Sequence, residues 1–170
     1  PQRPIRAILL ALRFLMCFTV IGWAGADRYW EESCEDEMGL DAWGFENPYS
    51  LAFIAPGNHG GQILEPANAR NVISVAAANS EENGSIWSAS AHGPTEEGGR
   101  GIFIAAPGQA IISARGDGVK NSYNNESRIL TGTSMAPPMA ASYGAILQQL
   151  IEKELGVGPS GALLRAMMAI

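Results

Sequence analysis

The chain has 170 residues, a hydrophobic fraction of 46%, a charged fraction of 16% and a formal net charge of −6. That composition belongs to globular domains rather than disordered chains, and the acidic balance lacks the basic footprint of a nucleic-acid binder. Two cysteines, Cys17 and Cys34, allow one bridge but cannot build a disulfide scaffold or a multi-cysteine zinc site, and the 20 glycines and 10 prolines follow no fixed repeat.

The sequence starts at Pro1 and stops at Ile170 inside an apparent helix, so it reads as a piece of a longer chain. Residues 7–23 are strongly apolar, with Arg13 in the middle. Three readings stand. One is a buried helix followed by a buried strand from Cys17 to Ile21. Another is a signal peptide, with Arg3 and Arg6 as its basic end and Ala24-Gly25-Ala26 as its cleavage site. The third is a transmembrane span, for which Arg13 is badly placed; no stable span is expected. Residues 26–48 interleave Asp27, Glu31, Glu32, Glu35, Asp36, Glu37, Asp41 and Glu46 with Trp30, Met38, Leu40 and Trp43. Such a run is the solvated face of a helix and its loop, with a calcium site as the alternative.

From Tyr49 the pattern sharpens. Leu51–Ala55, Val72–Ala77 and Ile102–Ala106 are short apolar runs, and the first and third stop at Pro56-Gly57 and Pro107-Gly108. Runs of that kind are strands buried on both faces, which predicts an α/β domain with a mainly parallel sheet flanked by helices. A long helix is predicted from about Ser134 to Leu155. Its first half is apolar nearly all round, Met139 included. In its second half Tyr143, Ile146, Leu147, Leu150 and Ile151 should face inward while Gln148, Gln149, Glu152 and Lys153 face out. Gly156 is the expected stop, and Ser160 the cap of a further helix carrying Leu163, Leu164, Met167 and Met168.

Ser134 falls at a loop-to-helix junction, where unpaired N–H groups and the helix dipole suit a serine that leaves an oxyanion behind. Serine and threonine are also the commonest helix caps, and Pro56-Gly57-Asn58-His59 is on its own a turn signal. The stretch is not a Gly-x-Ser-x-Gly elbow, because Ala136 stands at the last position.

Gly132-Thr133-Ser134-Met135-Ala136, followed by Pro138, resembles the nucleophile motif of the subtilisin-like serine proteases. Ala55-Pro56-Gly57-Asn58 is similar to that family's oxyanion-hole segment, and Pro66–Ala77 to a central strand with its lead-in. Ser90-Ala91-His92-Gly93-Pro94-Thr95, Ala105-Ala106-Pro107-Gly108 and Pro159–Leu164 resemble further family segments in the same order. The resemblance covers residues 49–170. Residues 1–48 match weakly, through Trp23 and the run up to Asn47-Pro48, and form a separate N-terminal segment.

The resemblance implies a serine endopeptidase working through an acyl-enzyme. Ser134 would be the nucleophile, and the Ser134 N–H and the Asn58 amide the oxyanion donors. Ala55-Pro56-Gly57 would form one wall of the substrate pocket. Trp23 and Gly25 would form the other, where the family tends to Ser-Trp-Gly-Gly and this chain has Gly22-Trp23-Ala24-Gly25. Gly132 and Thr133 would also line the substrate. The family's aspartate and histidine motifs lie N-terminal to everything matched, so the sequence reads as the C-terminal half of a catalytic domain, inert alone, whose missing partner is the N-terminal half. His59 and His92 stand outside any His-Gly-Thr-His setting, and Met139 replaces a histidine that is not part of the triad. The expected partner is a peptide or protein substrate. No cofactor or metal site is assigned, structural calcium is allowed in the parent, and an extracellular or secretory setting fits the sequons at Asn83 and Asn125. The rivals are a catalytically inactive subtilase-like binding protein and an unrelated α/β esterase.

Overall fold

A computed structural model describes residues 20–21, 35–80, 84–96 and 98–170. The expectations for Arg13, Cys17, Trp23, Gly25, Cys34 and the sequon at Asn83 lie outside them, as does the signal-peptide question apart from Val20–Ile21. The first strand is β1 (Val20–Ile21). A helix, α1 (Glu35–Glu46), follows and carries the second half of the acidic run. Then come β2 (Phe53–Ile54), β3 (Ile73–Ala78), β4 (Ile104–Pro107), β5 (Ile111–Ala114) and β6 (Ser127–Leu130). A 3₁₀ turn at Thr133–Met135 leads into α2 (Ala136–Leu155), and α3 (Gly161–Met168) ends the chain.

β1 to β4 form one parallel sheet in the order β1-β2-β3-β4, with Phe53 opposite Ile73 and Val75 opposite Ile104. All six residues of β3 are buried, as a strand covered on both faces requires. Alternation of side chains sorts the core into two layers. Leu51, Phe53, Ile73, Val75 and Ala77 meet Ala136, Ala140 and Ala141 of α2 and Leu164 and Met168 of α3. Ala52, Ile54 and Val72 meet Ile63 and Ala67 on the other side, with Leu40 and Trp43 of α1 packed against them.

The first two apolar runs named buried segments; in the third, on the edge strand β4, only Ala106 is buried, because no strand among the described residues covers that edge, and the strand ends also differ. Leu51 and Ala52 are buried without being strand, and β4 begins at Ile104, two residues later than the run. There the Phe103 N–H turns to the carbonyl and hydroxyl of Ser74, both at 3.0 Å. β5 and β6 form an antiparallel pair that no apolar run announces, because most of their residues are exposed.

The helix boundaries came out as expected. Gly156 ends α2 in the left-handed conformation at φ 71°, and the Ser160 hydroxyl accepts the Leu163 N–H at 3.2 Å. The inward face of α2 came out as expected only in part: Ile151 is buried and Leu147 packs against the core, with Gln149, Glu152 and Lys153 exposed, but the other inward residues are not buried. Met139, Tyr143, Ile146 and Leu150 are 46%, 57%, 57% and 52% exposed, while Gln148 is 5% exposed. The cause is the close approach of helix and sheet. A Cβ on Gly144 would stand 3.1 Å from Phe53 Cζ, so only small residues fit along that line. Gln148 is the next turn of the same line, and its amide donates to Glu152 Oε1 at 2.8 Å.

Candidate active site

The C-terminal ends of parallel strands are where α/β sheets place their ligands. Two loops meet at that edge. The first leaves β2 as Ala55-Pro56-Gly57-Asn58. Pro56 is buried, Ala55 and Gly57 are partly buried and Asn58 is exposed. Gly57 has φ 116°, a conformation that favours glycine. The Gly57 carbonyl accepts the Ala91 N–H at 2.9 Å, which ties this turn to the segment around Ser90.

The second loop runs from β6 into α2. Gly108, just after β4, receives it: the Gly132 N–H donates to the Gly108 carbonyl at 2.9 Å, and the Gly108 N–H to Ala78 at 3.2 Å. A side chain at 108 would strike Ala77 Cβ at 2.5 Å and push the loop off the sheet end. Thr131 adds a further tie, its hydroxyl accepting the Ala110 N–H at 2.9 Å.

The two loops are joined by Asn58 and Thr133. Asn58 Oδ1 accepts the Thr133 N–H at 2.8 Å and the Thr133 hydroxyl at 2.8 Å. An N–H can face only an acceptor, so these bonds fix the amide with Oδ1 toward Thr133 and leave its Nδ2 hydrogens free to donate elsewhere. Thr133 itself is 1% exposed. Ser134 is the next residue, partly exposed in the 3₁₀ turn that opens α2. Pro137 and Pro138 occupy the first turn of α2, where a missing N–H leaves no intrahelical bond unmade. Residues 76 positions apart in the sequence, Asn58 and Ser134, are thus brought to one place through Thr133.

The histidines lie elsewhere in bonding terms. His59 Nε2 meets the Gln62 carbonyl and His92 Nδ1 the Ser90 carbonyl, each at 3.0 Å. Neither bonds to Ser134 among the described residues. No three His, Cys, Asp or Glu side chains gather as a metal site among those residues.

The support that Thr133 gives Asn58 was not read from the sequence, which placed Thr133 only among substrate-lining residues. The signal was available in part, since a hydroxyl residue beside the serine is a natural partner for an amide oxygen.

A parallel sheet flanked by helices, with a serine at a helix start on its C-terminal edge and an asparagine from a neighbouring loop bonded to the residue before it, defines an α/β protein with a candidate serine site at that edge. The comparisons narrow it. The model described as the subtilase family matches residues 24–168, and the chain belongs to this family of serine-type peptidases. Subtilisin-like protease 9 of Arthroderma benhamiae is 35% identical over 109 residues, which are 62% of this chain and 22% of that protein. An extracellular protease of Xanthomonas campestris pv. campestris is 30% identical over 135 residues, 78% of this chain and 22% of that one. A solved structure of a patellamide maturation protease aligns with a TM-score of 0.60 at 28% identity, covering 77% of this chain and 43% of that chain. This chain therefore spans 22% of the length of these curated relatives. No described helix is long and apolar enough to cross a membrane.

Proposed function

We propose that this chain carries the nucleophile and oxyanion half of a serine endopeptidase site. The observation that carries the reading is the double acceptance by Asn58 Oδ1 from Thr133, which leaves the Asn58 amide hydrogens as free donors beside Ser134. Ser134 attacks the peptide carbonyl. The negative charge on its oxygen is met by Asn58 Nδ2 and by the Ser134 N–H at the positive end of α2. Collapse of the tetrahedral species expels the amine and leaves the acyl-enzyme, which water then hydrolyses. Ala55-Pro56-Gly57 lines the residue before the scissile bond. Gly132 passes close to Asn58 Nδ2, and Thr133 holds the oxyanion donor in place.

The base and its orienting acid come from outside this sequence in the same reading, which fits a chain that spans 22% of its relatives. The mechanism calls for no cofactor, and a structural calcium in the parent stays compatible with it. Secretion is supported by the extracellular protease among the relatives.

A fluorophosphonate probe tests the reading. The full-length parent should label at Ser134, lose labelling in Ser134→Ala, and lose about 10²–10³ in kcat in Asn58→Leu. The 170-residue chain alone should stay unlabelled, because a serine hydroxyl without a base is a weak nucleophile. Labelling of this chain alone would reveal a base among its own residues. An inert parent would favour the second reading, a catalytically inactive subtilase-like binding protein, to which the locally bonded His59 and His92 lend weight.

A further inference from the structure

A cavity among the described residues lies away from Ser134. It is a cleft of about 1260 Å³ at the other end of the sheet, lined by the residues that lead into β3 and β4, by Asp41 of α1 and by Arg165 of α3. β3 separates the two places by six residues, roughly 20 Å at about 3.3 Å per residue.

Its charges do not balance. Arg70, Arg100 and Arg165 all line the cleft, against the single carboxylate of Asp41. That carboxylate is already occupied by backbone donors, from Arg70 N–H at 3.2 Å and Asn71 N–H at 2.6 Å. The only ion pair among the described residues is Arg115 with Glu126, so none of the three cleft arginines has a counter-charge in bonding distance among those residues.

Two buried polar atoms are also unmatched. Arg165 Nε and Asn68 Oδ1 are both shut off from solvent with no hydrogen-bond partner among the described residues. Both residues line the same cleft. The Arg165 guanidinium lies 4.9 Å from the centre of the Phe103 ring, which holds it as a cation over an aromatic face. Burial, and then the nearby Arg100 charge, make its charged form less favourable than usual, while Asp41 acts the other way. Buried donors and unpaired charges of this kind are normally matched.

The unmatched atoms describe what would match them. Arg100 and Arg165 call for an anion, and the planar guanidinium pairs best with a planar carboxylate. The remaining wall is apolar, from Val72, Ile102 and Phe103, and the volume exceeds the ≈ 300–1,000 Å³ usual for a small-molecule pocket. A bare inorganic anion satisfies only the arginines. A peptide segment with acidic side chains supplies carboxylates and apolar contact together.

We propose that this cleft is a second binding site, for an acidic peptide segment, at the end of the sheet opposite Ser134. Its carboxylates pair with Arg100 and Arg165, and its apolar side chains lie along Val72, Ile102 and Phe103. The site stands independently of the chemistry at Ser134.

Fluorescence anisotropy with a labelled hexapeptide of glutamates interleaved with leucines tests this, using the whole chain and its Ser134→Ala variant. Both should bind the peptide equally, which separates this proposal from the reading of Ser134. Arg165→Gln and Arg100→Gln should each weaken binding about tenfold, the scale of one charge-assisted hydrogen bond. Arg100 is exposed, so its substitution should leave the circular dichroism spectrum unchanged, and Arg100→Lys, which keeps the charge without the planar fork, should recover only part of the affinity. Absence of binding, or equal binding by the arginine variants, would overturn the proposal. So would inorganic phosphate displacing the peptide at equal concentration, which would mean a general attraction for anions. Tighter binding by about tenfold in Glu31→Gln/Glu32→Gln would also overturn it, by making the chain's own acidic run the occupant.

Discussion

On the side of α2 that meets the sheet stand Ala136, Ala140, Ala141 and Gly144, followed by Gln148 and Ile151; on the side that meets solvent stand Met139, Tyr143, Ile146 and Leu150. A helix on the surface of a globular domain usually carries its large apolar residues inward. Here the inward line is narrow because Phe53 fills the space, and the outward line is wide and apolar. The contrast teaches that small residues, as much as large ones, can mark a buried face. They let backbones approach, and the apolar area is then supplied by the partner, in this case Phe53, Ile73 and Val75. It also teaches that the outward stripe is not explained by the contacts within the described residues.

The strongest way to break this comparison is to empty the space that keeps the inward line small. Phe53 is fully buried and touches the line at Gly144. Phe53→Ala should cost about 3–5 kcal/mol, the usual loss for a large aromatic cut from a core. Urea denaturation of the chain measures it. A loss below ~1 kcal/mol would show that α2 settles onto the sheet and that the close approach is not fixed by Phe53.

The reverse substitution sharpens the same point. Gly144→Leu places atoms where a Cβ alone already comes within 3.1 Å of Phe53 Cζ and 3.5 Å of Met168 Sδ. Overpacking costs about 1–3 kcal/mol, and the better helix propensity of leucine returns about 1 kcal/mol. The net expectation is a destabilisation of roughly 0–2 kcal/mol, read from the same denaturation midpoint. The flexible methionine can yield, but the Phe53 ring, enclosed on all sides, cannot.

A third and smaller effect concerns α3, which brings Leu164 and Met168 onto the inward side of α2. Ser160→Ala removes the acceptor of the Leu163 N–H and should cost about 1 kcal/mol, the typical worth of such a cap. Ser160→Asp should restore it, since aspartate caps as well as serine does. If Ser160→Ala changes nothing, the start of α3 is held mainly by the Gly161 N–H bond to the Pro48 carbonyl at 2.7 Å.

How much of this was legible depended on whether a feature is local. β3 was readable to within one residue because an apolar run with β-branched residues must be buried on both faces. The end of α2 was readable from Gly156, and the start of α3 from Ser160, because caps are short-range chemistry. β5 and β6 were not readable: Ile111-Ile112-Ser113-Ala114 and Ser127-Arg128-Ile129-Leu130 pair across a loop and bury little, so no pattern sets them apart. The face of α2 was misread because hydrophobicity counts side chains, whereas the geometry was decided by the absence of one at Gly144. At the site, residues 55–58 and 132–134 stood out only through resemblance to a family. As isolated strings they are a turn and a cap. That Asn58 and Thr133 bond to each other is a fact of tertiary structure, set by Gly108 and the end of β4, and no local pattern encodes it.

The smallest expected effect tests the outward half of the comparison. Tyr143 and Ile146 are each 57% exposed, so replacing them with serine removes apolar surface that already meets water. Substitutions at such positions usually stay within about 0.5 kcal/mol. Serine matches tyrosine and isoleucine closely in helix propensity. The double variant Tyr143→Ser/Ile146→Ser should therefore unfold at nearly the midpoint of the unaltered chain. Its solubility should rise, because an exposed apolar stripe is an association surface. Sedimentation at increasing concentration reads the second effect separately from the first. A loss of stability beyond about 2 kcal/mol would mean that the stripe is packed in solution. The two faces of α2 would then both be interior, and the contrast between them would be one of partners rather than of exposure.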